Sequence, residues 1–89
     1  MKLNLYYLIT FYFVATEKSF SITAEKLFLT EPAISLQIKS LERCMGIKLF
    51  NVQRKKVYLT KAGELLLPYA EEIYPAFPIS NRDIGRFLW

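Results

Sequence analysis

The residues with the clearest chemistry in this sequence are cationic. Arg54, Lys55 and Lys56 form a compact basic run, and Lys39 follows Ser35 by four positions in a segment of helical period. Such clusters neutralise phosphates and release condensed counterions, which fits a nucleic-acid backbone. A basic run is also a common feature of a merely solvated face, so its position in the fold has to decide. Other reactive types are scarce. One cysteine, Cys44, and no histidine leave no intrachain disulfide, no zinc ligand set and no Cys/His catalytic pair. Glu42 and Glu64 fit helix-end or helix-surface roles, and no motif sets a nucleophile beside them. The expectation is therefore a protein that is not an enzyme and takes no metal or cofactor. Cys44 reads as an inert, partly buried side chain, and a lone cysteine fits a reducing cytoplasm.

The whole chain must be able to position those cations. Its 89 residues suffice for one small domain with a modest core, and 53% hydrophobic content argues against disorder. The net charge of +4 favours an acidic partner, weakly by itself. Lys2 and the apolar run through Ala15 have the look of a signal peptide. However, there is a single leading charge, and Val14-Ala15-Thr16-Glu17-Lys18 contains no small-x-small cleavage site. The run is also shorter than the ~20 residues that span a bilayer. It reads better as a first helix over residues 3–17, with Leu5, Leu8, Ile9, Tyr12 and Phe13 on one stripe and Phe11, Val14 and Ala15 on a second. A helix apolar on two sides needs two covers, and a second subunit would supply one.

Residues 22–28 read as a short second helix with Ser21 as N-cap and Ala24, Leu27 and Phe28 inward. Thr30 caps a third helix running to about Arg43. Its first turn carries Glu31 and Pro32, its buried stripe is Ile34, Ile38 and Leu41, and its other side shows Glu31, Pro32, Ser35, Leu36 and Lys39. Gln37 reads as a DNA contact or a local hydrogen-bonding group. Gly46 fits a C-terminal stop. Leu49-Phe50 and Val57-Tyr58-Leu59 are β-prone runs separated by the polar stretch from Asn51 to Lys56, which predicts a hairpin with a basic tip. Thr60 caps a fourth helix whose apolar side is Leu65, Leu66, Ala70 and Ile73. Pro68 sits inside this helix and should kink it or cost stability, and Pro75 and Pro78 should end it. The expected organisation is a winged helix-turn-helix domain over residues 1–60, mainly α, then a linker and dimerisation helix over 61–77 and an irregular tail over 78–89.

Two short helices, a tight turn and a basic hairpin suit duplex DNA. The major groove, about 12 Å wide, accepts one α-helix. The second helix braces the third, whose N-terminal half meets base edges, while the wing reaches phosphate. The candidate DNA-binding residues are Ser21, Thr30, Glu31, Pro32, Ser35, Leu36, Lys39, Arg54, Lys55 and Lys56. The candidate dimer contacts are Leu5, Ile9, Tyr12, Leu66, Ile73 and Tyr74.

Several stretches then match one signature in order: Ser19-Phe20-Ser21, Ala24-Glu25-Lys26-Leu27, Thr30-Glu31-Pro32-Ala33-Ile34-Ser35, Gln37-Ile38-Lys39-Ser40-Leu41-Glu42, Gly46-Ile47-Lys48-Leu49-Phe50 and Leu59-Thr60-Lys61-Ala62-Gly63-Glu64. Over residues 3–77 the chain resembles the N-terminal domain of LysR-type transcription regulators. The resemblance implies sequence-specific double-stranded DNA binding, with dimerisation through the first and fourth helices. The family commonly has glutamine where this chain has Glu31, arginine or lysine where it has Leu36, and two alanines where it has Thr23-Ala24. Glu31 is awkward beside phosphates but can accept from cytosine N4, and Leu36 can meet a thymine methyl. These departures point to an altered or weakened target.

The family continues from the fourth helix into an effector-binding domain that this sequence lacks, so the expectation is a truncated regulator. It would form a weak homodimer, bind an inverted-repeat operator and touch no membrane. A different class of function is also open: a truncated subunit that pairs with full-length relatives and alters their DNA binding. A nonfunctional remnant is the third reading.

Overall fold

The computed structural model describes residues 4–76. Its elements run α1 (Leu5–Glu17), α2 (Phe20–Leu27), α3 (Glu31–Met45), β1 (Phe50–Gln53), β2 (Lys56–Leu59) and α4 (Lys61–Ala76). Each boundary has a local cause. Asn4 accepts the Tyr6 N–H at 2.9 Å and starts α1, and Lys18 ends it in the left-handed region. The N-cap of α2 is Ser19, whose hydroxyl accepts from the Ile22 N–H at 3.0 Å. The expected cap, Ser21, lies inside the helix and is exposed. Starting α2 two residues early places the Phe20 ring edge-on to Phe50, centroids 6.4 Å apart, so packing decides between two available hydroxyls. Phe28, expected inward, is instead the exposed left-handed C-cap of α2. Thr30 caps α3 as expected, through the Ala33 N–H at 3.3 Å, and Gly46 closes it at φ 71°.

The core lies among α1, α2, α3 and the hairpin, with α4 closing one side. Leu8, Phe11, Val14, Leu27, Ile34, Ile38, Leu41, Leu49 and Ala70 are all buried in it. The Phe11 and Phe50 rings meet at 5.2 Å. Two buried hydroxyls are satisfied within this apolar setting. Thr23 bonds the Ser19 carbonyl at 2.8 Å, and Thr10 donates to the Gln37 side-chain oxygen at 2.8 Å. Gln37 is only 5% exposed, so its role is to join α1 to α3 and it offers nothing to DNA.

The hairpin is longer in backbone than its side chains suggested. Asn51 pairs with Tyr58 and Gln53 with Lys56, leaving a two-residue turn of Arg54 and Lys55. Polar, exposed side chains read as loop, but strand pairing is made by the backbone. Helix α4 contains Pro68, as expected, and continues through Pro75, where an end was expected, to Ala76. Pro78 and the expected irregular tail lie outside the described residues. Leu65 is exposed and Ala70 buried, so the inward side of α4 is rotated from the stripe read in sequence.

Gly63 sits where the first turn of α4 meets the peptide after α3. A Cβ there would fall 2.4 Å from the Leu49 carbonyl oxygen and 2.7 Å from Leu59 Cδ2. Backbone cannot step aside as a flexible side chain would. Gly63→Ala is therefore expected to destabilise the domain by about 1–3 kcal/mol, the usual cost of overpacking. Thermal unfolding followed by circular dichroism would check it, and an unchanged midpoint would show that α4 does not approach so closely.

Candidate nucleic-acid interface

Helix α3 divides by burial into two sides. Ala33, Ile34, Gln37, Ile38 and Leu41 are buried, while Glu31, Pro32, Leu36 and Lys39 are exposed and Ser35 is half-buried. Leu36 is 65% exposed, a large apolar side chain with most of its surface open to solvent. Thr30 is exposed just before them, with its hydroxyl oxygen engaged as the cap.

The hairpin stands beside this helix. One groove is lined by Ser35, Lys39 and Glu42 of α3 on one side and Lys48, Phe50 and Val52 on the other. A second groove is lined by Ser19 and Ser21 from the start of α2, Glu31 from the start of α3, and Val52 and Lys55 from the wing. Val52 borders both, so the two grooves flank one strand. Of the residues expected at DNA, the structure thus gathers Ser21, Glu31, Ser35, Lys39 and Lys55. Arg54 is exposed at the hairpin tip. Lys56 lines a separate cleft with Lys18, Tyr58 and Glu64, between α1, β2 and α4. Lys48, which faces Lys39 across the first groove, was not singled out from sequence. A lone lysine ahead of a strand carries no pattern.

The tip is strained. Arg54 has φ 50° and Lys55 φ 65°, both in the left-handed region. A two-residue hairpin turn with positive φ at both positions favours Asn-Gly, because a side chain there costs about 1–2 kcal/mol per residue. Two long cations occupy those positions instead.

The wing is held to α3 by Glu42. Its carboxylate accepts the Leu49 N–H at 2.7 Å and the Phe50 N–H at 3.3 Å. Beyond the helix-end or helix-surface role read from sequence, Glu42 anchors β1. Leu49 is also gripped from its other side, since its carbonyl accepts the Thr60 N–H at 3.0 Å.

The expected dimer contacts separate. Ile9 is 1% exposed and belongs to the core, so it has no surface left for a partner and is withdrawn from that set. Leu5 is exposed, whereas Tyr12, Leu66 and Ile73 are half-buried against the core. The side chain of Tyr74 lies outside the described residues. Among the described residues no helix is long and apolar enough to cross a membrane.

A buried-faced α3 with a hairpin anchored at its side is a winged helix-turn-helix, and the sequence pattern of the bacterial regulatory helix-turn-helix protein, lysR family, matches residues 5–64. The chain belongs to the LysR family. It is 38% identical over 79 residues to the HTH-type transcriptional regulator HdfR of Yersinia enterocolitica, which covers 89% of this chain and 27% of that protein. It is 39% identical over 76 residues to HdfR of Escherichia coli, covering 85% of this chain and 27% of that protein. The chain thus spans about a quarter of the length of these curated relatives. Among solved structures, the BenM DNA-binding domain in complex with catB site 1 DNA superposes with a TM-score of 0.78 at 32% identity, covering 83% of both chains. Oxidised OxyR of Corynebacterium glutamicum gives 0.81 at 36% identity, covering 85% of this chain and 25% of that one.

Glu42→Ala should free the wing without unfolding the core. Removing the charged acceptor leaves two backbone donors without their partner, at a cost of about 1–3 kcal/mol. Amide exchange at Leu49 and Phe50 should accelerate far more than at Ile34 or Leu41. Equal acceleration throughout would mean that Glu42 supports global stability only.

Proposed function

We propose that this domain binds double-stranded DNA sequence-specifically as part of a LysR-type transcription regulator. The observation that carries the proposal is the pairing of an exposed α3 surface with a basic wing tip along shared grooves. In this reading Ser35, Leu36 and Lys39 meet base edges in the major groove, with Pro32 near the helix start. Ser21 and Thr30 lie towards the backbone, and Arg54 and Lys55 contact phosphate. Lys56 lies to one side of this array. BenM and HdfR support the reading, the first by its DNA complex and the second by its description as a transcriptional regulator. Arg54→Ala should weaken binding to all duplexes nearly equally and lower the salt slope by about one unit. Titration at several salt concentrations would check this. Loss of preference for one sequence with an unchanged slope would instead make Arg54 a base-reading residue.

The same reading includes a two-fold dimer, which would set two copies of α3 on an inverted-repeat site. Helix α4 supports it. At about 100° per residue, Leu65, Tyr69, Ile73, Leu66 and Ala70 fall on one apolar arc about 140° wide. The arc grades from exposed Leu65 and Tyr69, through half-buried Ile73 and Leu66, to buried Ala70. Leu5 adds exposed apolar surface on α1, which packs beside α4. The domain is expected in monomer–dimer equilibrium, and Leu65→Glu should shift it to monomer by ten-fold or more. Analytical ultracentrifugation would decide, and a strict monomer at high concentration would defeat the dimer.

A further inference from the structure

Glu31 is the anomaly of the α3 surface. It is an exposed anion, at the first position of the helix, in a face otherwise suited to a polyanion. It shares a groove with Lys55, yet the two form no ion pair; among the described residues the ion pair found joins Lys26 to Glu17. The cap oxygen beside it is engaged by Ala33, so Glu31 takes no part in capping through Thr30. Among the described residues its carboxylate has no ion-pair partner, and on DNA the phosphates would repel it.

We propose that Glu31 is a specificity-determining residue that selects cytosine through its N4 amino group. The proposal rests on the reading of α3 as the helix in the major groove. A carboxylate only accepts hydrogen bonds. In the major groove guanine offers N7 and O6 and thymine offers O4, all acceptors that repel it. Adenine offers an amino group, but its own N7 lies on one side and the thymine O4 of its pair on the other. The cytosine amino group has an acceptor, the guanine O6, on one side only, so it is the donor that an anion meets at least cost. Within the groove, placement against any other base sets the carboxylate beside acceptors, so cytosine is the base it favours. Lys55, unpaired with Glu31, remains available to phosphate.

The alternative is that Glu31 merely complements the positive end of the α3 dipole. The two separate cleanly. The wild-type domain would be used to select duplexes from a randomised pool, and the selection repeated with Glu31→Gln and Glu31→Ala, each checked for an intact thermal transition. At the cytosine required only by the wild type, the base would then be replaced by 2-pyrimidinone, which lacks the N4 amino group. The wild type should lose ten-fold or more in affinity. Glu31→Gln should lose less than three-fold, and should bind unrelated duplexes more tightly than the wild type. A residue serving only the helix dipole would lower the melting temperature and leave the selected sequence as it was. If the wild type selects a sequence and both variants select the same one, the Glu31 proposal is overturned while the reading of α3 stands. If the wild type selects no sequence at all, both fall.

Discussion

The peptide groups around Leu49 are held from two directions. Glu42 of α3 takes the N–H groups of Leu49 and Phe50, and the Leu49 carbonyl takes the Thr60 N–H at the start of α4. Thr60 adds a bond from its hydroxyl to the Lys48 carbonyl at 2.6 Å, and the absent side chain of Gly63 lets α4 settle against the same carbonyl oxygen of Leu49. One short connector therefore ties α3, the wing and α4 together. A charged acceptor gives the strongest kind of hydrogen bond available to a backbone N–H, and here it does so at a partly buried site. Without it the hairpin would keep its own pairing but lose its bearing on α3.

The second tie is between α1 and α3. Thr10 and Gln37 meet inside an apolar core, where loss of Thr10 would strand the Gln37 oxygen, while the Thr10 hydroxyl also reaches the Tyr6 carbonyl at 3.2 Å. The pair fixes the rotation of α3 about its axis, because turning it would pull the Gln37 oxygen away from its donor. That rotation decides which residues look outward. Ser35, Leu36 and Lys39 are presented because Ile34, Gln37, Ile38 and Leu41 are committed inward. Through the same contact, α1 and the surface it carries are linked to the orientation of the helix proposed to read bases.

The helical frame was legible in sequence because its signals are local. Periodic apolar residues mark α1, α3 and α4, and Thr30 and Gly46 punctuate α3 by cap chemistry that acts within a few residues. What stayed hidden depends on partners far along the chain. Ser19 and Ser21 are equal as caps until Phe50 arrives to receive Phe20. Ile9 has the spacing of a surface stripe until the assembled core covers it. Glu42 shows nothing of its two acceptor bonds, since a carboxylate on a helix has many uses and its donors lie seven and eight residues on. The wing strands were hidden by polar side chains that say nothing about backbone pairing. At the candidate site, residue types were readable, but the segregation of Lys56 from Lys55 followed only from the turn, which ends at Lys55 and leaves Lys56 as the first residue of β2.

The left-handed tip of the wing carries information of another sort. Arg54 and Lys55 hold a backbone shape that glycine and asparagine adopt with far less strain. A stability screen blind to DNA would discard both cations early, in favour of Asn-Gly, and would gain a better hairpin. Under the phosphate role proposed for Arg54 and Lys55, the tip is a place where folding and binding pull the sequence in opposite directions. Under the same proposal, a lineage relieved of a nucleic-acid partner would lose its charge here before its core decayed, leaving a sturdier domain with an electrically quiet wing.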